Sequence, residues 1–194
     1  PVVSCNLPNL IKVESVGPPF RTNKVKISED GEILIKGENV MLGYWNNEEE
    51  TKKVLKDGWL HTGDIGIFDG DYLKITDRKK DILITPGGDN ISPVKIENEL
   101  TNSNLIEQAI VYGDNKPYLV ALLVPNEENL NSNEEEFKKE IEKINSKLAK
   151  IENIKKFFIN KEKFTIENGM LTPTLKLKRF KIIQKYKNNF EKLY

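Results

Sequence analysis

The stretch Thr76–Glu97 constrains the fold of this 194-residue chain more than any other. It joins a charged run, Asp77–Asp81, to a short apolar run, Ile82–Ile84, and then to the pair Gly87–Gly88 and the dipeptide Ser92–Pro93. Glycine tolerates backbone conformations that other residues avoid and lets a ligand approach the main chain. Serine followed by proline is typical of a helix start. The pattern predicts a bend, one strand, a tight turn and a helix, which we interpret as a hinge with a binding strand attached.

The overall composition argues against some classes of protein. The 30 basic residues balance the 30 acidic ones, so the net charge is zero, whereas nucleic-acid-binding domains are typically basic. The single cysteine, Cys5, cannot form an internal disulfide, and no run of roughly 18 apolar residues could span a membrane. We therefore expect a cytoplasmic protein of one or two domains with no nucleic-acid partner. Because the chain starts at Pro1, without an initiator Met, we also expect a fragment whose upstream part is missing.

Residues 24–79 carry mainly β-strand signals. Polar and apolar residues alternate on both sides of a Glu-Asp-Gly turn at 29–31, which is the pattern of a hairpin. Asn47 precedes three glutamates, so its side chain can cap a short helix that Asp57–Gly58 would end. The predicted strands are Lys24–Ser28, Glu32–Gly37, Trp59–Thr62 and Tyr72–Thr76. This half of the chain predicts a small barrel or sheet.

The second half mixes helix and strand signals. Apolar residues recur every three or four positions in two long segments, and a third, shorter segment also carries an apolar stripe, which predicts three helices with an apolar face. The predicted stripes are Val94, Ile96 and Leu100; Phe137, Ile141, Ile144, Leu148 and Ile151; and Phe180, Ile183, Tyr186, Phe190 and Leu193. The predicted strands are Gln108–Tyr112 and Tyr118–Val124. We therefore predict an α+β protein, with a β-rich, barrel-like first half and a second half in which a short mixed sheet is flanked by helices.

Three positions could bind a ligand, and each also has a simpler interpretation. The carboxylate of Asp64 could accept two parallel hydrogen bonds from a vicinal diol such as a ribose, or Asp64 could be a turn residue. Arg78 is a permanent cation suited to phosphate oxygens or ribose hydroxyls, or it forms a surface ion pair with Asp77 or Asp81. Gly87–Gly88 is either a place where a ligand approaches the backbone or an ordinary tight turn.

The segment Gly169–Arg179 is the second informative stretch. Thr172–Thr174 predicts an extended loop, and Lys176 follows it just before an amphipathic helix, where its amine could swing into a site. Seven basic residues against one Glu from Lys176 to Tyr194 leave a local surplus of six. This surplus is either a solvated helix face or a surface attracted to an anionic membrane, in peripheral association, or to nucleic acid. The only histidine, His61, has no catalytic or metal-binding neighbours in the sequence, so we expect it to pack or to position other groups.

Five motifs, taken together and in order, resemble the C-terminal motifs of the AMP-forming acyl-CoA synthetases of the adenylate-forming superfamily. The motifs are Gly43–Trp45, Gly58–Asp64, Asp77–Lys80, Gly87–Ile91 and Leu171–Arg179. The resemblance covers the chain from about Gly17 onward and is closest to the long-chain fatty acid members, including the bubblegum type. Two details support this: the segment between Arg78 and Gly88 is longer than in small-aryl ligases, and the tail has Thr-Pro-Thr where many relatives have a Ser-Gly-Lys form.

The resemblance implies two domains and a two-step reaction. Residues 1–79 would be the β-rich C-terminal part of a large adenylating domain, and residues 80–194 a small, mobile C-terminal domain. With magnesium present, the carboxylate of a fatty acid would attack the α-phosphate of ATP, giving acyl-AMP and pyrophosphate. The thiol of coenzyme A would then displace AMP.

The resemblance also implies a role for each matching position. Asp64 would bind the ribose hydroxyls of ATP or AMP, and Arg78 would support the ribose and phosphate end. Lys176 would reach the carboxylate and α-phosphate oxygens during adenylation. Lys80 would be the hinge residue, and Gly87–Asp89 would line the tunnel for the pantetheine arm of coenzyme A.

Some parts of the family pattern do not occur in this sequence. They are the phosphate-binding loop, the Tyr-Gly-x-Thr-Glu segment whose Glu would hold magnesium, and the acyl pocket. We therefore expect no metal ligands within this chain, no catalysis by the chain alone, and an upstream domain of the same protein as its partner. Two alternatives stay open: an adenylating enzyme that passes its acyl group to a carrier protein, and a non-catalytic interaction or regulatory module of the same fold.

Overall fold

The computed structural model describes residues 2–194, so Pro1, on which the expectation of a truncated start rests, lies outside the described part. The chain divides into two compact units, the first ending at Asp81 and the second running from Ile82 to Tyr194. Both units contain helices and strands, which confirms the predicted α+β class. None of the helices within residues 2–194 is long and apolar enough to cross a membrane.

An antiparallel sheet of five strands forms the framework of the first unit. Its elements in chain order are β1 (Asn23–Ile27), β2 (Glu32–Gly37), α1 (Glu48–Val54), β3 (Leu55–Lys56), β4 (Trp59–Asp69) and β5 (Tyr72–Arg78). β1 and β2 form the predicted hairpin, with Val25 opposite Ile35. Ile33, Ile35 and Leu73 make up the buried apolar cluster of this unit.

The long strand β4 organises this sheet. Ile65 pairs with Glu32 of β2 on one edge and with Asp77 of β5 on the other. The register between β4 and β5 shifts at Ile65 and Gly66, which is the mark of a β-bulge. A Cβ at Gly66 would lie 2.5 Å from the carbonyl oxygen of Lys74, so only glycine fits there. β4 therefore lies between the beginning of β2 and the end of β5.

Helix α1 begins as predicted and ends earlier. The side chain of Asn47 accepts a hydrogen bond from the backbone N–H of Glu50 at 3.1 Å, as expected for an N-cap. The helix stops at Val54, however, and the prediction that Asp57–Gly58 ends it is wrong. Asp57 and Gly58 have φ values of 53° and 74°, which suit a two-residue hairpin turn between β3 and β4.

The second unit contains a hairpin, a three-stranded sheet and three helices among the residues described. Its elements are β6 (Leu83–Ile84), β7 (Asn90–Ile91), α2 (Pro93–Thr101), β8 (Ile106–Tyr112), β9 (Leu119–Pro125), α3 (Glu134–Asn145), β10 (Ile154–Ile159) and α4 (Arg179–Glu191), with short 3₁₀ turns at Glu127–Asn129 and Lys150–Glu152. The strand order is β10-β9-β8, with β8 antiparallel and β10 parallel to β9. This is the predicted mixed sheet flanked by helices.

Strand β9 is buried on both faces because helices cover both sides of the sheet. Alternate residues point to opposite faces of a strand. Leu119, Ala121 and Leu123 join the cluster that contains α2 and α3 residues, whereas Val120 and Leu122 join the cluster that contains α4 residues. All seven residues of β9 are buried, which explains its continuous apolar run.

Helix α3 is shorter than its predicted apolar stripe. Phe137, Ile141 and Ile144 are buried as expected, but the helix ends at Asn145 and Ile151 is 51% exposed. The side chain of Asn145 both accepts from the N–H and donates to the carbonyl of Ile154, each at 2.9 Å. These two bonds turn the chain out of the helix and into β10.

Helix α4 buries a different face at its start from the one predicted. Phe180 is 81% exposed, whereas Ile182, outside the predicted stripe, is completely buried. The backbone of Tyr186 leaves helical geometry, with φ −102° and ψ 15°, so the two halves of the helix are not in one register. Phe190 is buried as predicted. In α2, Val94 of the predicted stripe is also exposed, while Ile96 and Leu100 are completely buried.

Candidate functional site

The structure brings Asp64 and Arg78 together. They are direct partners across β4 and β5, and the Nε of Arg78 lies 3.0 Å from Oδ1 of Asp64. The Arg78 side chain is 59% exposed and the Asp64 side chain 25% exposed, so both remain accessible to a ligand. The backbone N–H of Arg78 donates to the side chain of Asp77 at 2.7 Å. The structure pairs Arg78 with Asp64, whereas the sequence suggested Asp77 or Asp81 as the ion-pair partner.

Local backbone geometry fixes the direction of the Asp64 side chain. Gly63 has a φ of 72°, a left-handed conformation that favours glycine, and a Cβ there would meet no other atom within 4 Å. The requirement for glycine is thus conformational. The N–H of Asp64 donates to Oγ1 of Thr62 at 3.1 Å, and that hydroxyl donates to the carbonyl of Ile33 at 2.8 Å. These bonds tie the turn before Asp64 to the buried strand β2.

A buried carboxylate, that of Glu32, lies beside this turn, and the sequence did not reveal it as a site residue. Its side chain is 5% exposed. Oε1 accepts the backbone N–H of Gly63 at 2.9 Å, while Oε2 is 2.9 Å from Nζ of Lys79 and 3.0 Å from Nδ1 of His61. This contact agrees with the positioning role expected for His61. Lys79 also forms an ion pair with Asp30 at 2.6 Å.

These contacts change the acidity of the groups involved. Burial raises the pKa of Glu32, but hydrogen bonds from His61, Lys79 and the Gly63 N–H outweigh it, so the pKa lies below its ordinary value of 4.5. Hydrogen bonds from Lys79 and then from the Ser28 hydroxyl hold the pKa of Asp30 well below its usual range. Hydrogen bonds to Asp30 and Glu32 raise the pKa of Lys79. The two carboxylates and Lys79 are therefore fully ionised at neutral pH.

Lys80, the predicted hinge residue, lies in the turn that follows β5. Its side chain is exposed. The N–H of Asp81 donates to the carbonyl of Arg78 at 2.9 Å, which closes this turn. On the other side, the N–H of Lys79 donates to the carbonyl of Gly63 at 2.8 Å. The chain is thus hydrogen-bonded to the sheet up to Lys79.

Gly87–Gly88 forms the turn of the β6–β7 hairpin in the second unit. The N–H of Gly88 donates to the carbonyl of Thr85, and the N–H of Thr85 donates to the carbonyl of Asp89, both at 2.9 Å. Gly88 has a φ of 87°, and a Cβ there would meet no atom within 4 Å. The turn geometry alone therefore accounts for this glycine within the chain, and the space beside it is open. The Asp89 carboxylate accepts from the Thr85 hydroxyl at 3.1 Å.

Lys176 lies in a small loop of the second unit, opposite Thr172. Leu171 and Leu177 pair across the base of this loop. The N–H of Lys176 donates to Oγ1 of Thr172 at 3.0 Å, and its carbonyl accepts from the N–H of Thr172 at 2.8 Å. Leu175 has a φ of 60°, which is unusual for a side chain of this size. The loop thus fixes the backbone of Lys176 and leaves its side chain exposed.

A buried ion pair anchors the chain just after this loop. Arg179, the first residue of α4, pairs through its guanidinium with the carboxylate of Glu97 in α2, and donates to the carbonyl of Val111 in β8 at 3.0 Å. Glu97 also accepts the N–H of Val111 at 2.6 Å. The two side chains are 12% and 11% exposed. The sequence offered no signal for this pairing because its partners are 82 residues apart.

The predicted site residues therefore fall in two groups. Asp64 and Arg78 meet in the first unit, whereas Gly87–Asp89 and Lys176 belong to the second. In the described part of the chain, no group of three or more His, Cys, Asp or Glu side chains is arranged to hold a metal ion. A partly exposed carboxylate beside a guanidinium can bind a hydroxylated, anionic ligand, and an exposed lysine on a fixed loop can supply a positive charge.

Comparisons with known proteins give a consistent family. The family described as "AMP-binding enzyme C-terminal domain" matches residues 80–194. The chain is 36% identical over 208 aligned residues to the long-chain-fatty-acid–CoA ligase FadD15 of Mycobacterium tuberculosis, covering 96% of this chain and 35% of that protein. It is 37% identical to the mouse long-chain-fatty-acid–CoA ligase 5, covering 99% of this chain and 31% of that protein.

A protein of known structure is similar to this chain in both sequence and fold. It is the A domain of carboxylic acid reductase from Segniliparus rugosus, in complex with AMP and a co-purified carboxylic acid. The TM-score is 0.81 and the identity 28%, over 92% of this chain and 32% of that one. The chain thus spans about a third of the length of the curated relatives that it matches.

Proposed function

This chain belongs to the AMP-binding enzyme C-terminal domain family, and from that premise we propose that it is the C-terminal portion of an AMP-forming long-chain fatty acyl-CoA ligase. The reaction proposed for the complete protein has two steps. A fatty acid and ATP give acyl-AMP and pyrophosphate, and coenzyme A then displaces AMP to give acyl-CoA. The long-chain assignment is supported by relatives at 36% and 37% identity that carry this name.

The pairing of Asp64 with Arg78 is the observation that carries the proposal. A carboxylate has two oxygens that can accept hydrogen bonds from the two neighbouring hydroxyls of a ribose. The guanidinium, 3.0 Å from that carboxylate, adds donors for the ribose and phosphate end of the nucleotide. In this proposal the pair binds ATP and AMP through the sugar.

The second unit would supply the groups that differ between the two steps. Lys176, exposed on its fixed loop, would reach the carboxylate of the fatty acid and the α-phosphate during adenylation, where it stabilises developing negative charge. The open turn at Gly87–Asp89 would line the path of the pantetheine arm. Lys80 would be the hinge between residues 1–79 and the mobile C-terminal domain, residues 80–194.

The remaining parts of the reaction are assigned to an upstream domain of the same protein. That domain would contribute the phosphate loop, the acyl pocket and the ligands of Mg²⁺. We propose a cytoplasmic location, in which the basic surplus near the C-terminus allows peripheral association with an anionic membrane. The isolated 194-residue chain is therefore expected to be inactive.

The experiment uses the complete protein that contains this chain. Fatty-acid-dependent exchange of pyrophosphate into ATP reports the first step, and acyl-CoA formation reports the second. Replacing coenzyme A by an acyl carrier protein tests the alternative acceptor. A complete protein that binds no nucleotide and supports no exchange with any fatty acid would contradict the proposal and favour the non-catalytic module.

A further inference from the structure

The Glu32 carboxylate is buried at the point where three strands meet. Its side chain is 5% exposed, and it lies at the start of β2, beside the long strand β4. Removing a carboxylate from water is costly unless charged or polar donors compensate. Glu32 has three such donors among the described residues: the backbone N–H of Gly63, Nζ of Lys79 and Nδ1 of His61, at 2.9, 2.9 and 3.0 Å.

The donors to Glu32 bracket the Asp64–Arg78 pair. Gly63 directly precedes Asp64, and Lys79 directly follows Arg78. One carboxylate oxygen contacts Gly63 on the β4 side of the pair, and the other contacts Lys79 on the β5 side as well as His61 in β4. The carbonyl of Gly63 also accepts the backbone N–H of Lys79 at 2.8 Å, so the two ends are closed against each other as well as against Glu32.

This arrangement meets a requirement of diol recognition. Two parallel hydrogen bonds from vicinal hydroxyls form only when the accepting carboxylate has the right orientation, and functional groups commonly need to be held within about 0.5 Å. Asp64 is on a left-handed glycine turn, Gly63 φ 72°, which by itself gives the backbone freedom. The contact from Glu32 to the Gly63 N–H restricts that freedom, together with the hydrogen bonds that Thr62 makes.

We propose that Glu32 is a positioning residue for ribose recognition: it orients the Asp64 carboxylate through Gly63 and keeps Arg78 in place through Lys79. This inference rests on the proposed function, because it assumes that Asp64 binds the ribose. Glu32 itself does not touch the nucleotide. Its replacement alters how well the site distinguishes a ribose from a sugar that lacks one hydroxyl.

The test compares ATP with 2′-deoxy-ATP in the complete protein. The readout is the ratio of kcat/KM for the two nucleotides in fatty-acid-dependent adenylation. A hydrogen bond to a charged acceptor corresponds to about a 10- to 100-fold preference for ATP. Glu32→Gln keeps the shape of the side chain but removes the charge that holds Lys79 and His61. We expect the preference for ATP to fall by about tenfold in this variant, toward the value for Asp64→Ala.

Glu152→Gln is the matched control. Glu152 is also a largely buried carboxylate, with its side chain 12% exposed. It is held by Nζ of Lys95 at 2.7 and 2.8 Å and by the backbone N–H of Ala149 at 3.1 Å, in the second unit. A general loss of stability lowers activity with both nucleotides and leaves their ratio unchanged. We therefore expect the ratio of the control variant to stay within about twofold of wild type.

Each outcome separates the inference from the function on which it rests. If the wild-type protein does not prefer ATP, or if Asp64→Ala keeps the preference, the ribose assignment of Asp64 is wrong. If Asp64→Ala abolishes the preference while Glu32→Gln retains it in full, the ribose assignment stands and the inference about Glu32 is overturned. The inference about Glu32 is also overturned if Glu152→Gln changes the ratio as much as Glu32→Gln does.

A second variant decides the case in which Glu32→Gln does not fold. Lys79→Met removes one of the donors to Glu32. The Lys79 side chain is 48% exposed, so this substitution perturbs the core less than Glu32→Gln does. We expect it to lower the preference for ATP by several-fold, less than Glu32→Gln, because the Gly63 contact remains. An unchanged ratio in Lys79→Met would overturn the inference.

Discussion

Asp64 and Arg78 face each other across β4 and β5, with Nε of Arg78 3.0 Å from Oδ1 of Asp64. Each side chain is therefore pre-oriented by the other before a ligand arrives. Pre-orientation lowers the entropy cost of binding, since fewer rotamers must be frozen when the ligand docks. The pair is nevertheless accessible, because the Arg78 side chain is 59% exposed. A pair this exposed typically contributes little to folding stability, and we expect its main contribution to be to binding.

Replacing Asp64 by alanine tests whether the pair contributes mainly to ligand binding and little to folding stability. An exposed or half-exposed ion pair typically contributes under about 1 kcal/mol to the free energy of unfolding. The loss of hydrogen bonds to a charged acceptor costs about 1.5 to 3 kcal/mol of binding. We expect Asp64→Ala to change the melting temperature little and to raise the KM for ATP at least about tenfold, as measured by calorimetry and steady-state kinetics. A large fall in melting temperature with an unchanged KM would contradict the proposed role.

Lys176→Ala should separate the two half-reactions. The amine is proposed to stabilise charge that develops during adenylation, and losing one such donor costs about 3 kcal/mol, a factor of a hundred or more in rate. We expect pyrophosphate exchange to fall by that factor, while thioester formation from supplied acyl-adenylate is largely kept. Lys187→Ala, another exposed lysine of the second unit, serves as the control for loss of positive charge. Equal impairment of both steps would contradict the assignment of Lys176.

Gly88→Leu should have the opposite effect, since Gly88 is proposed to line the path to coenzyme A. Gly88 has a φ of 87°, so any other residue there also strains the backbone. Gly70, with a φ of 64° and no atom within 4 Å of the place that a Cβ would take, provides a matched control for that strain. We expect Gly88→Leu to slow thioester formation and to spare adenylation, and Gly70→Leu to alter both steps equally little. The two variants are compared by single-turnover assays of each step.

Local signals in the sequence were sufficient for elements that depend on near neighbours. The Asn47 cap and the β1–β2 hairpin are confirmed because caps and tight turns are set by a few adjacent residues. The Ser92 cap of α2 is also present, with its side chain accepting from the N–H of Lys95. The prediction failed where a distant contact decided the outcome, as at Phe180, which is exposed in a helix whose buried face begins at Ile182.

The candidate site shows the same division between local and distant information. The motifs indicated Asp64 and Arg78 separately, but their contact depends on the register of β4 and β5 and on the bulge at Gly66. Nothing in the sequence distinguishes Glu32 from an ordinary polar residue at the start of a strand. Its importance follows from burial against Gly63 and Lys79, which only the folded sheet creates. The binding roles of all these residues stay predictions.

Removing one partner of the Glu97–Arg179 pair should strongly lower the stability of the protein. Both side chains are nearly buried, and removing one partner of such a pair leaves an uncompensated charge, which typically costs about 3 to 5 kcal/mol. We expect Arg179→Met to lower the free energy of unfolding by that amount in urea denaturation. Lys116→Met breaks a more exposed pair with Glu191, with side chains 27% and 39% exposed, and should cost under about 1 kcal/mol. Similar losses in the two variants would show that burial does not govern the effect.

The lowered pKa of Glu32 predicts how the free energy of unfolding depends on pH. In the folded protein the pKa of Glu32 lies below its ordinary value of 4.5, because hydrogen bonds from His61, Lys79 and the Gly63 N–H outweigh the effect of burial. A carboxyl group with a lowered pKa binds more protons in the unfolded state than in the folded state. Its contribution to stability is therefore fully present above about pH 4.5 and is lost as the pH falls through the lower, folded value.

Glu32→Gln isolates this contribution, since the glutamine cannot titrate. We expect the difference in free energy of unfolding between wild type and Glu32→Gln to be constant between about pH 5 and 6 and to shrink as the pH is lowered toward about 3. Asp30 also has a lowered pKa, but it is present in both proteins and largely cancels in the difference. Lys79, whose pKa is raised, stays charged throughout. Urea denaturation at a series of pH values measures this difference in the free energy of unfolding. A difference that grows as the pH falls would mean that burial raises the pKa of Glu32, contrary to the prediction.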